Sequence, residues 1–83
     1  MNITDQQLRE IALAGGIDNA NTLSIERSDN FFELKDNEQN SVFSLQFIIG
    51  ACSDRVEFKS SLDSFDEEAS RRKMDSLGLI ERL

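Results

Sequence analysis

Histidine, tryptophan, tyrosine and proline are absent from this chain, and cysteine occurs once. Without histidine the chain lacks the commonest general base and metal ligand at neutral pH, which argues against an enzyme and leaves no catalytic residue, cofactor or metal to expect. A lone Cys52 cannot form an internal disulfide, so nothing points to an oxidising compartment. It also has no imidazole to activate it, and Arg55 is the only cation close in sequence, so an inert, half-buried thiol is expected. No apolar run approaches the roughly 18 residues of a membrane span. The N-terminus lacks the basic-then-apolar order of a signal peptide, which makes a cytoplasmic location the expectation and a membrane partner not. Basic residues are scarce as well: nine Lys and Arg stand against sixteen Asp and Glu, a net charge of -7. Such a surface repels phosphate backbones, so no direct nucleic-acid partner is expected, and a protein partner with a basic surface suits it better. Residues 1 to 40 carry eight acids and three bases, residues 41 to 83 eight and six, so the first half is the more acidic surface.

What is present reads as one domain, 1–83, with 39% hydrophobic and 30% charged residues in regular alternation. Ser41 to Cys52, SVFSLQFIIGAC, is the longest apolar strand pattern. Its period of two sets Phe43, Leu45, Phe47, Ile49 and Ala51 on one face, and Val42, Ser44, Gln46, Ile48, Gly50 and Cys52 on the other. Ile3 to Ala14 reads as a helix. Thr4 and Gln7 fit a capping box, Ile3 and Leu8 a hydrophobic staple, Leu8, Ile11 and Ala12 one face with Ala14 beside it, and Gly15–Gly16 the stop. Ile17 to Asn21 reads as a polar connection, Thr22 to Arg27 as a short strand with Leu23 and Ile25 on one side, and Phe31 to Lys35 as its hairpin partner with Phe32 and Leu34 inward. Asp36 to Asn40 is a polar turn, Ser53 and Asp54 another, and Arg55 to Lys59 a fourth strand with Val56 and Phe58 inward.

The second helix is expected to start at Ser64 with Glu67 completing a capping box, or a turn earlier at Ser61 or Asp63. Phe65, Ala69 and Leu77 form its apolar flank, and Glu67–Arg71 and Glu68–Arg72 are acid-before-base pairs at helical spacing. Gly78 ends it, with Leu79 folding back on Met74 and the apolar Leu79, Ile80 and Leu83 docking on this chain or a second copy. The fold class is therefore α+β, in the order α-β-β-β-β-α, an antiparallel sheet with both helices on one face.

No motif carries chemistry. The glycine pair lacks the surroundings of a phosphate loop, and DNEQN lacks the spacing of a calcium loop. Asp63, Asp66, Glu67 and Glu68 are what a helix start favours electrostatically. Arg71, Arg72 and Lys73 read as a solvated helix face. Ala69 to Leu83, ASRRKMDSLGLIERL, resembles the recognition-helix end and following strand of winged-helix regulators. That likeness covers under a fifth of the chain, no helix-turn-helix precedes it, and the strands come before it. A DNA reader, which the resemblance implies, runs against the net negative charge.

The remaining candidate is the sheet face turned away from the helices. It is expected to show Phe31, Val42 and Ile48 amid Glu33, Gln46 and Glu57, a few apolar side chains in a polar rim. The functional expectation is a small acidic, non-enzymatic protein-binding module, an inhibitor or immunity-type factor filling a basic site. The alternative is a structural domain forming a homodimer through that face or through its C-terminal tail.

Overall fold

The computed structural model describes residues 3–50 and 54–80. The expected order is present: α1 (Asp5–Ala14), a single 3-10 turn (Ala20–Thr22), β1 (Ser24–Arg27), β2 (Phe31–Lys35), β3 (Ser41–Ile49), β4 (Asp54–Ser60) and α2 (Glu67–Ser76). The four strands form one antiparallel meander in the order β1-β2-β3-β4.

Both helices begin and end on local chemistry. At α1 the Thr4 hydroxyl accepts from the Gln7 amide at 3.1 Å and the Gln7 side chain accepts from the Thr4 amide at 3.0 Å, a complete capping box. At α2 the cap is Asp66 and not Ser64: its carboxylate accepts from the Ala69 amide at 3.1 Å. The start lies later because Phe65, half-buried against Phe43 and Phe58, holds the preceding turn outside the helix. Asp66→Ala is expected to cost about 1 kcal/mol and Ser64→Ala almost nothing. Urea denaturation of the two variants reads this, and equal losses would return the cap to Ser64.

The two C-termini share one motif. Gly16, at φ 99°, and Gly78, at φ 74°, take the left-handed turn. After each, an apolar residue donates its amide back to the last turn: Ile17 to the Ala12 carbonyl and Leu79 to the Met74 carbonyl, both at 3.0 Å. Leu79 is buried as expected. Ile17 and Ala20 are buried too, so the connection from Ile17 to Asn21 gives two side chains to the core while Asp18, Asn19 and Asn21 stay exposed. Arg9 holds it in place, donating to the carbonyls of Ala20 at 2.6 Å and Leu23 at 2.9 Å.

In the sheet, Phe32, Leu34, Phe43, Leu45, Val56 and Phe58 are buried, in one cluster with Ile3, Leu8, Ile11, Ala12 and Met74 from the helical segments. Phe47 is only half-buried and meets Phe32 edge-on at 6.1 Å. β3 stops at Ile49, so Gly50 is not in the strand; the Ile49 side chain, Ala51, Cys52 and Leu83 lie outside what is described. β1 begins at Ser24 because Thr22 is bound into the 3-10 turn, its amide and hydroxyl both donating to the Asn19 carbonyl. Asp54 belongs to β4 and not to the preceding turn. In the Asp36–Asn40 turn the Asp36 carboxylate accepts from the Glu38 and Asn40 amides, both at 2.9 Å.

The helices meet where Gly15 sits. A Cβ there would overlap the Ser70 hydroxyl and the Phe65 ring. Through this gap the Ser70 hydroxyl donates to the Ile11 carbonyl at 2.8 Å, and the Asp66 amide to the Gly15 carbonyl at 2.9 Å. On α2 the fully buried side chains are thus Ser70 and Met74, while Ala69 and Leu77 are half-buried at the flank. Ala14, expected beside the packed face of α1, is exposed.

Candidate protein-binding face

Strand alternation carries Phe31, Glu33, Gln46, Ile48 and Glu57 to the side of the sheet opposite the buried row. Register then joins them: Phe31 lies opposite Gln46 and Gln46 opposite Glu57, one continuous row across three strands. Glu33, Ser44 and Lys59 make the next row, and Ile48 pairs with Arg55. Phe31 and Ile48 are diagonal neighbours across β2 and β3, with Cα atoms about 7–8 Å apart in such a ladder. Both are half-buried and Gln46 is exposed.

Val42 stands apart. Leu34 pairs with Phe43 but Lys35 with Ser41, so Val42 is the extra residue of a bulge. It packs half-buried against the core cluster, and its carbonyl accepts from the Ser61 amide and the Ser60 hydroxyl. Of the six expected residues, five share the face.

The electrostatics of this face differ from those of the whole chain. Its acids Glu26, Glu33 and Glu57 are matched by Lys35, Arg55 and Lys59. Lys35 reaches Glu26 at 3.0 Å and Glu33 at 3.7 Å, and Arg55 reaches Glu57 at 3.4 Å. The hydrogen bond that Lys35 donates to Glu26, with the negative charge of both glutamates, raises the Lys35 ammonium above the ordinary lysine range against a smaller opposing effect of burial. A raised amine stabilises the fold fully below its unfolded pKa and loses that contribution as pH climbs through the folded value. Wild type is therefore expected to lose stability more steeply than Lys35→Met in strongly alkaline solution. Parallel declines in thermal melts across that range would show the ammonium is not held by its neighbours.

The excess acid lies elsewhere, at Asp18, Asp29, Asp36 and Glu38 in connecting segments and at Asp63, Asp66, Glu67 and Glu68 around the start of α2. The basic cluster of α2 is largely engaged. Arg72 pairs with Glu68 at 3.1 Å, and Arg71 contacts Glu67, the Val56 carbonyl and the Phe58 ring. The segment after α2, compared above to a winged-helix strand, is a turn: residues 77–80 form no strand, and Leu79 is buried. Among the described residues no three Cys, Asp or Glu side chains converge as metal ligands would, and no helix is long and apolar enough to cross a membrane.

The Ile17 contact has a local signal in the chain. Gly16–Ile17 repeats the Gly78–Leu79 pattern from which the Leu79 fold-back was derived. Compared with protein families, curated proteins and solved structures, the chain matches none.

Proposed function

We propose that this chain is a small, non-enzymatic protein-binding module that engages a partner with a basic surface, as an inhibitor or immunity-type factor would. The observation that carries the reading is the pair Phe31 and Ile48. They are two apolar side chains set diagonally on a face otherwise made of Glu33, Gln46, Glu57 and their ion-paired neighbours. An apolar centre in a polar rim is how a binding patch gains affinity without becoming an aggregation site. The acids outside the face supply long-range attraction, which speeds encounter with a basic protein more than it tightens the complex.

The test is capture of partners from native extract by tagged wild type and by Phe31→Ser/Ile48→Ser, followed by reconstitution of the complex from purified components. A basic protein bound by wild type, released as salt rises and not bound by the double variant, supports the reading. Capture indifferent both to salt and to the double substitution ends it. A light-scattering mass near twice the monomer, lost on Ile48→Asp, would instead make this face a homodimer interface. The tail is the weaker route to a dimer, since Leu79 and Ile80 pack on this chain's own core.

A further inference from the structure

Among the described residues β4 ends the sheet, so one of its edges has no neighbouring strand there. The Arg71 side chain closes on that edge. Arg71 reaches from α2, donates from Nη2 to the Val56 carbonyl at 3.1 Å, lies over the Phe58 ring at 5.2 Å and is held by Glu67 at 3.3 Å. We propose that the β4 edge is built to pair with the β4 edge of a second copy of this chain, and that Arg71 is the latch that holds this association back.

The direction of the peptide groups follows from two contacts. The Val56 carbonyl points off the sheet towards α2, whereas the Ser61 amide points inward, to the Val42 carbonyl on β3. Amide and carbonyl of one strand residue point the same way, and residues two apart share that direction. The peptide groups of Val56, Phe58 and Ser60 therefore face outward. The other edge is a poorer template, since β1 has four residues against seven and Arg9 occupies the Leu23 carbonyl at its start.

Charge selects the register. Antiparallel pairing about a two-fold axis at Phe58 sets Val56 opposite Ser60 of the second copy and Glu57 opposite its Lys59, in two symmetry-related ion pairs. Centring the axis on Glu57 would set that carboxylate against its own copy, which opposes pairing. The self-complementary sequence Glu57–Phe58–Lys59 is why a second copy of this chain, and not an arbitrary strand, fits the edge. An uncovered edge of this length is what folded proteins block with charged side chains, and Arg71 is placed to do so. The inference uses Glu57 and Lys59 at the rim of the protein-binding face but not its apolar pair, Phe31 and Ile48.

Sedimentation equilibrium tests it on wild type, Arg71→Ala, Arg71→Ala/Lys59→Glu and Arg71→Ala/Ile48→Asp, with circular dichroism to confirm folding. Removing the charged hydrogen bond is expected to tighten dimerisation about tenfold or more over wild type. Adding Lys59→Glu turns two attractions into repulsions and is expected to reverse most of that gain. Ile48→Asp is expected to leave it unchanged. Arg71→Ala no more associated than wild type overturns the proposal, as does a dimer indifferent to Lys59→Glu or one dissolved by Ile48→Asp. Should Arg71→Ala unfold, Arg71→Met, which keeps the aliphatic stem over Phe58 and removes every donor, must still shift the mass upward, and an unchanged mass overturns the proposal equally.

Discussion

Phe43→Ala is expected to remove about 3–5 kcal/mol of stability. Phe43 is fully buried, and its ring lies 5.5 Å from that of Phe65 and 6.2 Å from that of Phe58. It therefore joins the first part of β3 to β4 and to the turn that enters α2. Truncation loses the transfer energy of the ring and leaves a cavity that three separate elements cannot close together. Domains of this size are typically stable by roughly 5–15 kcal/mol, so the variant should sit near the limit of folding. Phe31→Ala deletes the same group from the opposite face and is expected to cost about 1 kcal/mol or less. Guanidinium denaturation of both variants decides it. Comparable losses would mean that the two faces are wrongly assigned, the signature of a one-residue slip in register.

Gly15→Ala should be nearly as damaging, against the usual direction of that change. Elsewhere in a helix alanine gains about 1 kcal/mol over glycine, and it also reduces the entropy of the unfolded chain. Here φ is -83°, so backbone strain plays no part and space alone decides. The added methyl would overlap the Ser70 hydroxyl and the Phe65 ring. Relieving that overlap means parting α1 from α2, which breaks the Ser70 hydrogen bond to the Ile11 carbonyl and that of Asp66 to the Gly15 carbonyl. Overpacking of this kind costs about 1–3 kcal/mol, and two broken hydrogen bonds place this case at the upper end. In a double-mutant cycle, Ser70→Ala should cost less beside Gly15→Ala than alone, because it removes one of the overlapping atoms. A neutral or stabilising Gly15→Ala, read by thermal unfolding, would show that the helices do not need this approach.

Much of the fold could be read from the chain because its signals are local. Thr4 with Gln7, Gly78 with Leu79, and the alternation of Phe43, Leu45 and Phe47 act within a few residues of themselves, and the structure places each of them nearly as expected. The start of α2 is not legible in the chain because three polar residues, Ser61, Asp63 and Ser64, compete with Asp66 as caps. What decides among them is the packing of Phe65 on Phe43 and Phe58, rings far away in sequence. The five residues of the candidate face were assigned from alternation, which fixes a side of the sheet. Alternation says nothing of lateral neighbours, so the row Phe31–Gln46–Glu57 and the bulge that draws Val42 towards the core needed strand register.

By itself, then, the sequence determined the kind and order of the helices and strands, where both helices stop, which strand faces are apolar, and an acidic charge. All of these follow from interactions between near neighbours or from composition. Tertiary structure alone decided that a serine belongs in the core, that Gly15 is a contact before it is a helix stop, that Arg71 closes a sheet edge, and that the reverse face is charge-balanced in an acidic protein. Each of those depends on atoms brought together from distant segments, as the Ser70 hydroxyl is to the Ile11 carbonyl 59 residues away. Periodicity along a chain carries no record of such a meeting, because it fixes the direction of a side chain but not what waits there.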